Sequence, residues 1–431
     1  MQGDDAVARA PLGPRDARRR LLEHVRTPLH RDGYALAANA AFTAATGFVY
    51  WIVAARTYSA HAVGLNSALI SSMMFVAGIA SLNLPNLVVR FLPQAGSRTP
   101  WLIAWSYAAS ATVAAAAVAV FLVGVGGWAP KLSFLHSDAA LQAWFLFSTL
   151  AWCLFVIQDS VLTALGKAVW VPIENAVFSL LKLGLLAALV TLVPTYGIFV
   201  SWTVAMLVSV VGVNLVIFAR LAGPASRRPA HADLAFRDRA FARYFAADYV
   251  CSIAWLSAAN LMPVIVTAVA GATVNAYYAL AWAVSVPMYA FVASIGTSLV
   301  LHGTNDPESL PELTRKAARQ GVTVLVPGVA LVLVLAGLAL SLFGEAYERE
   351  GTTLLRLLAL GSIPYLVIAL SVSVARVRRS MRRAVIALAA QAMLTLGLSA
   401  PLIHPLDVTG AGVAWLASQC VVAAALLATR R

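Results

Sequence analysis

From Tyr34 onward the chain is written in long apolar stretches separated by short polar breaks. Runs of about 20 apolar residues recur to the end, each enough to cross a hydrocarbon layer of about 30 Å as a helix. In lipid a backbone N–H or C=O has no water to bond, so a spanning run must satisfy its own ladder and must be helical. The pattern predicts twelve segments: 34–55, 63–88, 101–124, 139–164, 169–192, 196–219, 244–269, 274–300, 320–343, 352–375, 384–404 and 409–428. The expected fold class is therefore an all-α polytopic membrane protein. The first apolar run is too long for the core of a cleavable signal and is expected to stay as the first helix.

Charge placement orients these segments. Of the 31 lysines and arginines, 26 fall in the breaks that share a side with the N-terminus. They include seven arginines before the first segment, Arg90, Arg98, Lys167, and clusters at 220–243, 315–319 and 376–383. The opposite breaks hold only Arg56, Lys131 and Arg349. By the positive-inside rule both termini are expected in the cytoplasm. The net charge of +13 is then accounted for by basic loops facing anionic lipid, and nucleic acid is not an expected partner. The segment 301–319 reads as a surface helix, with Asp306-Pro307 at its start and Arg315, Lys316 and Arg319 later. Cys153, Cys251 and Cys420 lie in apolar runs without paired spacing, so no disulfide framework or zinc site is expected.

The chain also repeats itself. Val63 to Leu69 aligns with Val274 to Leu280, Leu183-Gly184-Leu185 with Leu396-Gly397-Leu398, and Gly197 with Trp202 aligns with Gly410 with Trp415. Ala38-Asn39 and Ala247-Asp248 open the two copies. The expected organisation is a basic N-terminal segment (1–33), a lobe of six helices (34–219), a basic inter-lobe loop (220–243) and a second lobe (244–431). Six is even, so the two lobes share one orientation, and their axis runs along the membrane normal.

Ionisable groups within the spans are the candidates for chemistry, because each is costly there. Lys182, near the middle of its segment, is the most informative; insertion scales put such a residue at about 2.5–3.5 kcal/mol. Asn175, Ser179 and Lys182 follow i, i+4, i+7 and form one polar stripe, with Glu174 beside it. The stripe places Lys182 on the wall of a central cavity, facing an anionic group such as a phosphate; the competing reading is a structural ion pair with Glu174 or Asp159. Asp248, at a helix start, and Arg356, near a helix end, are weaker candidates. Asn39, Thr43, Thr46 and Tyr50 share one face of the first segment. Tyr278, Trp282, Ser285 and Tyr289 share a face of the eighth, and Asn83, Asn86 and Arg90 end the second. These three faces suit packing as well as binding. Pro85, Pro263, Pro287, Pro327 and Pro364 interrupt helices as hinges or kinks. No catalytic, nucleotide-binding or metal motif is present, so neither an enzyme nor a cofactor is expected. Energy would come from an H+ or Na+ gradient, the membrane potential or the cargo itself.

Three stretches carry a family resemblance: Val63 to Pro93 (VGLNSALISSMMFVAGIASLNLPNLVVRFLP), Trp170 to Leu186 (WVPIENAVFSLLKLGLL) and Phe343 to Tyr365 (FGEAYEREGTTLLRLLALGSIPY). The chain resembles the bacterial polysaccharide-export (oligosaccharide) flippases of the multidrug/oligosaccharidyl-lipid/polysaccharide exporter superfamily. The resemblance implies two six-helix lobes around a central cavity, rocking between inward-open and outward-open states in a bacterial cytoplasmic membrane. It implies as cargo an undecaprenyl-diphosphate-linked glycan or related glycolipid, for surface polysaccharide or lipopolysaccharide assembly together with polysaccharide assembly proteins. The substrate candidates are Lys182, Glu174, Asn175, Asp159, Asp248, Arg356, Asn39 and Arg90. Twelve helices and a single central cation set the chain apart from the fourteen-helix peptidoglycan-precursor branch. The alternatives are a cation-coupled multidrug exporter of the same superfamily, with Asp159 or Asp248 titrating, and a membrane polysaccharide polymerase or ligase. The short outer loops argue against the latter.

Overall fold

The computed structural model describes residues 28–128, 131, 135, 138–227 and 239–429, with side chains 28–41, 128 and 239–241 left out. The expected basic N-terminal segment therefore lies almost wholly outside the described residues. Twelve long helices follow one another: α1 (Pro28–Thr57), α2 (Ala60–Ala80), α3 (Thr99–Trp128), α4 (Ala139–Ala164), α5 (Trp170–Leu189), α6 (Gly197–Val216), α7 (Arg239–Val269), α8 (Ala272–Asn305), α9 (Leu310–Ser341), α10 (Glu345–Val377), α11 (Met381–Leu406) and α12 (Val408–Ala428). Eleven of them, α2 to α12, are long and apolar enough to cross a membrane by length and composition alone. Most are apolar all round and present Val, Leu and Trp side chains outward, as a helix solvated by lipid does.

Most helices run a few residues beyond their expected bounds, and at three places the chain is organised differently. The second segment ends at Ala80, and a separate short helix, Leu84–Phe91, follows it. Leu82 and Asn83 stand between them at φ of 48° and 57°. Pro85 supplies the reason: it has no N–H to continue the ladder and fits only the first turn of a new helix. At the far end of α6 the chain continues as a π-turn, Ile217–Leu221, and a short helix, Ala222–Ser226, where a loop was expected from 220. Ile217, Ala222 and Ala225 are buried there against α3, α4 and the Leu84–Phe91 helix, which holds the extension down. The charged stretch around 315 is not a separate surface helix. It is the first part of α9, which starts at Leu310 and runs unbroken through Pro327. Asp306 still terminates the preceding turn, its Oδ1 accepting from the Ser309 N–H at 3.4 Å.

The helices form two pseudo-symmetric lobes, α1–α6 and α7–α12. Their packing repeats six helices on: α1 on α5 and α7 on α11, α5 on α6 and α11 on α12, α4 on α6 and α10 on α12, α2 on α4 and α8 on α10, α3 on α4 and α9 on α10. The lobes meet along α2, which packs on both α7 and α8; by contrast α1 touches α8 only sparsely. At one end the meeting is backbone-close. The Gly64 carbonyl accepts from Asn275 Nδ2 at 2.8 Å, and a Cβ on Gly64 would sit 1.6 Å from the Ala272 oxygen. Glycine is required there so that two helices can approach. Gly64 and Asn275 are also equivalent positions of the sequence repeat, 211 residues apart, as partners flanking a two-fold axis would be. Lys131 adds a second tie at this end, donating to the Val269 carbonyl at 2.7 Å. At the other, arginine-rich end, Tyr249 of α7 donates to the Ile79 carbonyl, and Gly78 packs under the Leu256 side chain.

Candidate functional site

Between the two ends the lobes part around a central cavity of about 680 Å³. Its walls come from α1, α2, α6, α7 and α8, with Trp51, Trp202 and Trp282 as the large faces. Thr43, Ser67, Ser71 and Asn260 supply most of its polar groups, and no charged side chain among the described residues lines it. Pro263 and Pro287 lie on its wall, one in each facing helix of the second lobe. Of the residues singled out in the sequence, Thr43, Trp202, Pro263, Trp282 and Pro287 reach this cavity and the charged candidates do not.

Lys182 sits one layer behind it. The side chain is 5% exposed, and its ammonium lies 4.1 Å from the centre of the Trp202 ring, 4.8 Å from Phe178 and 5.0 Å from Tyr50. Three helices build this cage. Phe178 lies one turn below Lys182 on α5. Tyr50 of α1 is fixed by donating to the Ile198 carbonyl at 2.9 Å, and Trp202 of α6 packs edge-on against Tyr50 and Phe178. Aromatic faces are negative at their centres, so they hold a desolvated cation. The alternative reading, an ion pair with Glu174 or Asp159, does not form among the described residues; rings surround the ammonium instead. Trp202 has both roles, with the ring over the ammonium and an edge on the cavity. Ser179, on the same stripe, is fully buried with no partner for its hydroxyl, and Asn175 is half-buried outside the cavity.

Glu174 and Asp159 come together, away from both the cavity and the lysine cage. Glu174 Oε1 accepts from Gln158 Nε2, and Gln158 Oε1 accepts from Asn214 Nδ2 at 2.8 Å. The outer oxygens of Glu174 and Asp159 are buried without a partner, as is the Tyr107 hydroxyl that faces them. Sequence reasoning missed Gln158, Asn214 and Tyr107, since neutral polar side chains on apolar helices carry no signature of their own.

The remaining candidates are dispersed. Asp248 Oδ1 pairs with Arg376 at 3.0 Å, joining α7 to α10 near a second cavity of about 380 Å³ at the arginine-rich end. Arg356 is exposed and donates to the Leu333 carbonyl at 3.0 Å, a tie within the second lobe rather than a cavity contact. Arg90 is exposed beside the Phe91 ring. Asn39 lies on α1, where its side chain falls outside the described residues. The tyrosine face of α8 turns inward: Tyr278 and Tyr289 are buried, and Tyr289 joins Trp415, Trp282 and Trp255 in an aromatic core.

No protein-family model and no curated protein matches the chain. Solved structures do match across its length. A multidrug resistance MATE family transporter of the MOP superfamily, in an inward-facing conformation, superimposes with a TM-score of 0.61 at 14% identity, covering 90% of this chain and 96% of that one. The lipid II flippase MurJ, in an inward closed conformation, gives 0.65 at 13% identity over 91% and 86%. A Vibrio cholerae MATE transporter gives 0.59 at 14% over 92% and 93%. The chain thus has the two-lobed membrane fold that these proteins share.

Proposed function

We propose that the protein is a transporter of the multidrug/oligosaccharidyl-lipid/polysaccharide exporter kind that flips a lipid-linked oligosaccharide by alternating access of its two lobes. The observation that carries this reading is Lys182: an ammonium with no counter-ion among the described residues, held against Trp202, whose ring also lines the inter-lobe cavity. A buried charge without a partner is costly unless something compensates it. The rings do so when the cavity is empty, and a diphosphate group does so when Trp202 turns aside. The cavity's aromatic and hydroxyl lining suits a sugar, which presents apolar faces and polar edges. Sparse contact between α1 and α8 leaves a side from which a lipid tail can remain in the bilayer. In this orientation the arginine-rich end faces the cytoplasm of a bacterial inner membrane, as the basic loops require.

The aromatic lining, free of charge among the described residues, also suits a planar organic cation, which favours a multidrug exporter as the second reading. One experiment separates the two. The protein is depleted in its host, and the amount and sidedness of lipid-linked oligosaccharides are measured. Cytoplasmic-leaflet accumulation, rescued by wild type but not by Lys182→Ala, supports the flippase. A normally sided pool together with raised sensitivity to cationic drugs replaces it with the exporter.

A further inference from the structure

At the arginine-rich end of the second lobe the ends of four helices surround a pocket of about 310 Å³, separate from the central cavity. Helix α10 ends at Val377 with Arg378 as its C-cap, and Arg379 turns the chain through the left-handed region at φ 53°. Helix α11 then begins at Met381 with two arginines in its first turn. Cations at a helix N-terminus oppose its dipole, where acids or capping hydroxyls are usual. Ser380, the residue in the cap position, makes no side-chain bond to the helix. The tight turn brings Arg378 and Arg383 to the same pocket, beside the free Ser380 hydroxyl and Thr429. Neither guanidinium has a carboxylate or hydrogen-bond partner among the described residues. Arg376, only two residues earlier, is neutralised by Asp248, so the local positive charge is selective. The deeper wall is apolar, from Val372, Ala387 and Leu426.

Two guanidiniums without a partner among the described residues, a hydroxyl and the uncapped first turn of α11 border one pocket. Together they form a site for a phosphate dianion or diester. The apolar wall and the position at the basic membrane face decide between a free phosphate and one carried by a lipid. We propose that this pocket binds the head group of an anionic phospholipid, held by Arg378, Arg383 and Ser380, with its acyl chains along the apolar wall. The site is independent of the cargo and of Lys182.

The test uses the purified full chain in neutral detergent and short-chain phosphatidylglycerol. Phosphatidylcholine is the neutral control and sn-glycerol 1-phosphate the free-phosphate control. Bound lipid is counted by native mass spectrometry across a titration. Phosphatidylglycerol is expected to bind in preference to phosphatidylcholine, with affinity reduced about tenfold or more in Arg378→Gln/Arg383→Gln, the scale of losing a charge-assisted contact. Arg379→Gln/Arg382→Gln removes the same charge from neighbours that do not line the pocket and is expected to bind like wild type. Ser380→Ala, a milder change, is expected to weaken binding less than the arginine pair does and covers the case of a misfolded double variant. Unchanged binding in Arg378→Gln/Arg383→Gln and in Ser380→Ala overturns the proposal. So does equal loss in the neighbouring pair, which means diffuse surface attraction. Glycerol phosphate competing as well as the lipid also overturns it, in favour of a soluble phosphoryl compound.

Discussion

At the scale of single residues, depth in the sequence predicts cost but not partner. Lys182 was legible as a mid-membrane cation because it stands alone in an apolar run. Its cage was not, because Tyr50, Phe178 and Trp202 come from three helices and are brought together only by the fold. The repeat makes the point sharper: the position equivalent to Lys182, 213 residues on, is Thr395, which shares a hydrogen bond with Ser418 at 2.6 Å. The first lobe therefore keeps a charge that its copy does without. Burial of the lysine costs about 2.5–3.5 kcal/mol and the ring contacts return about 2 kcal/mol or more. Lys182→Met is accordingly expected to change unfolding stability by less than about 2 kcal/mol while abolishing flipping. Lys182→Arg, which keeps charge and stacking, retains part of the activity. Equilibrium unfolding in detergent and a leaflet-sidedness assay give the two readouts; a large stability loss in Lys182→Met would make the lysine structural. Glu174 behaves differently. It accepts from Gln158, so Glu174→Ala leaves a buried amide without an acceptor and is expected to cost about 1–3 kcal/mol. Glu174→Gln fills the same space and can still accept, so it is expected to match or exceed the wild type in the same unfolding measurement.

At the scale of elements, the long helices were readable because a lipid-spanning run must be about 20 residues and helical. Their ends were less so. Pro85 marks an interruption between Ala80 and Leu87, but only the backbone shows that the chain stops and restarts there, through Leu82 and Asn83. Contacts between helices leave still less trace, since a helix apolar all round does not announce which face meets protein. Glycine is the exception where it permits approach. Gly64 and Gly78 both lie on the α2 face that meets the second lobe, but they meet different things. A Cβ at Gly64 collides with backbone of α8, whereas at Gly78 it meets the end of the Leu256 side chain, which can rotate away. Overpacking costs about 1–3 kcal/mol where the neighbour cannot move. Gly64→Ala is therefore expected to separate the lobes at that end, and Gly78→Ala to be tolerated. His61 and Thr273 border a separate cavity of about 530 Å³ at that end. Spin labels on His61→Cys and Thr273→Cys, with the three native cysteines replaced, report the separation as a longer distance. An unchanged distance in Gly64→Ala would mean that the helices slide instead of parting.

At the scale of the molecule, the repeat gave the two-lobe organisation away, because equivalent packing is inherited by both copies. The central cavity was expected from the resemblance, but its lining was not, because the candidates were charged residues, whereas the wall is built of tryptophan, alanine and small hydroxyl residues that any packed helix also carries. Alternating access requires that the ties at the two ends never be broken together. One end is closed by Gly64 with Asn275 and by Lys131; the arginine-rich end is held across the lobes by the Tyr249 hydroxyl on the Ile79 carbonyl and by Leu256 on Gly78. The second set is the lighter, since Gly78 meets a leucine side chain that can give way, where at Gly64 the backbones of α2 and α8 are themselves in contact. Opening is therefore expected first at the arginine-rich end. Cys251 is a native reporter of it: the thiol lines that cavity yet is 1% exposed. With Cys153 and Cys420 replaced by alanine, a polar maleimide is expected to label Cys251 slowly. Tyr249→Phe removes the donor to Ile79 and keeps the ring, so labelling is expected to accelerate, while Asn275→Ala leaves it unchanged or slower. The reverse order would place the weaker closure at the Gly64 end and invert the sequence in which the lobes release the cargo.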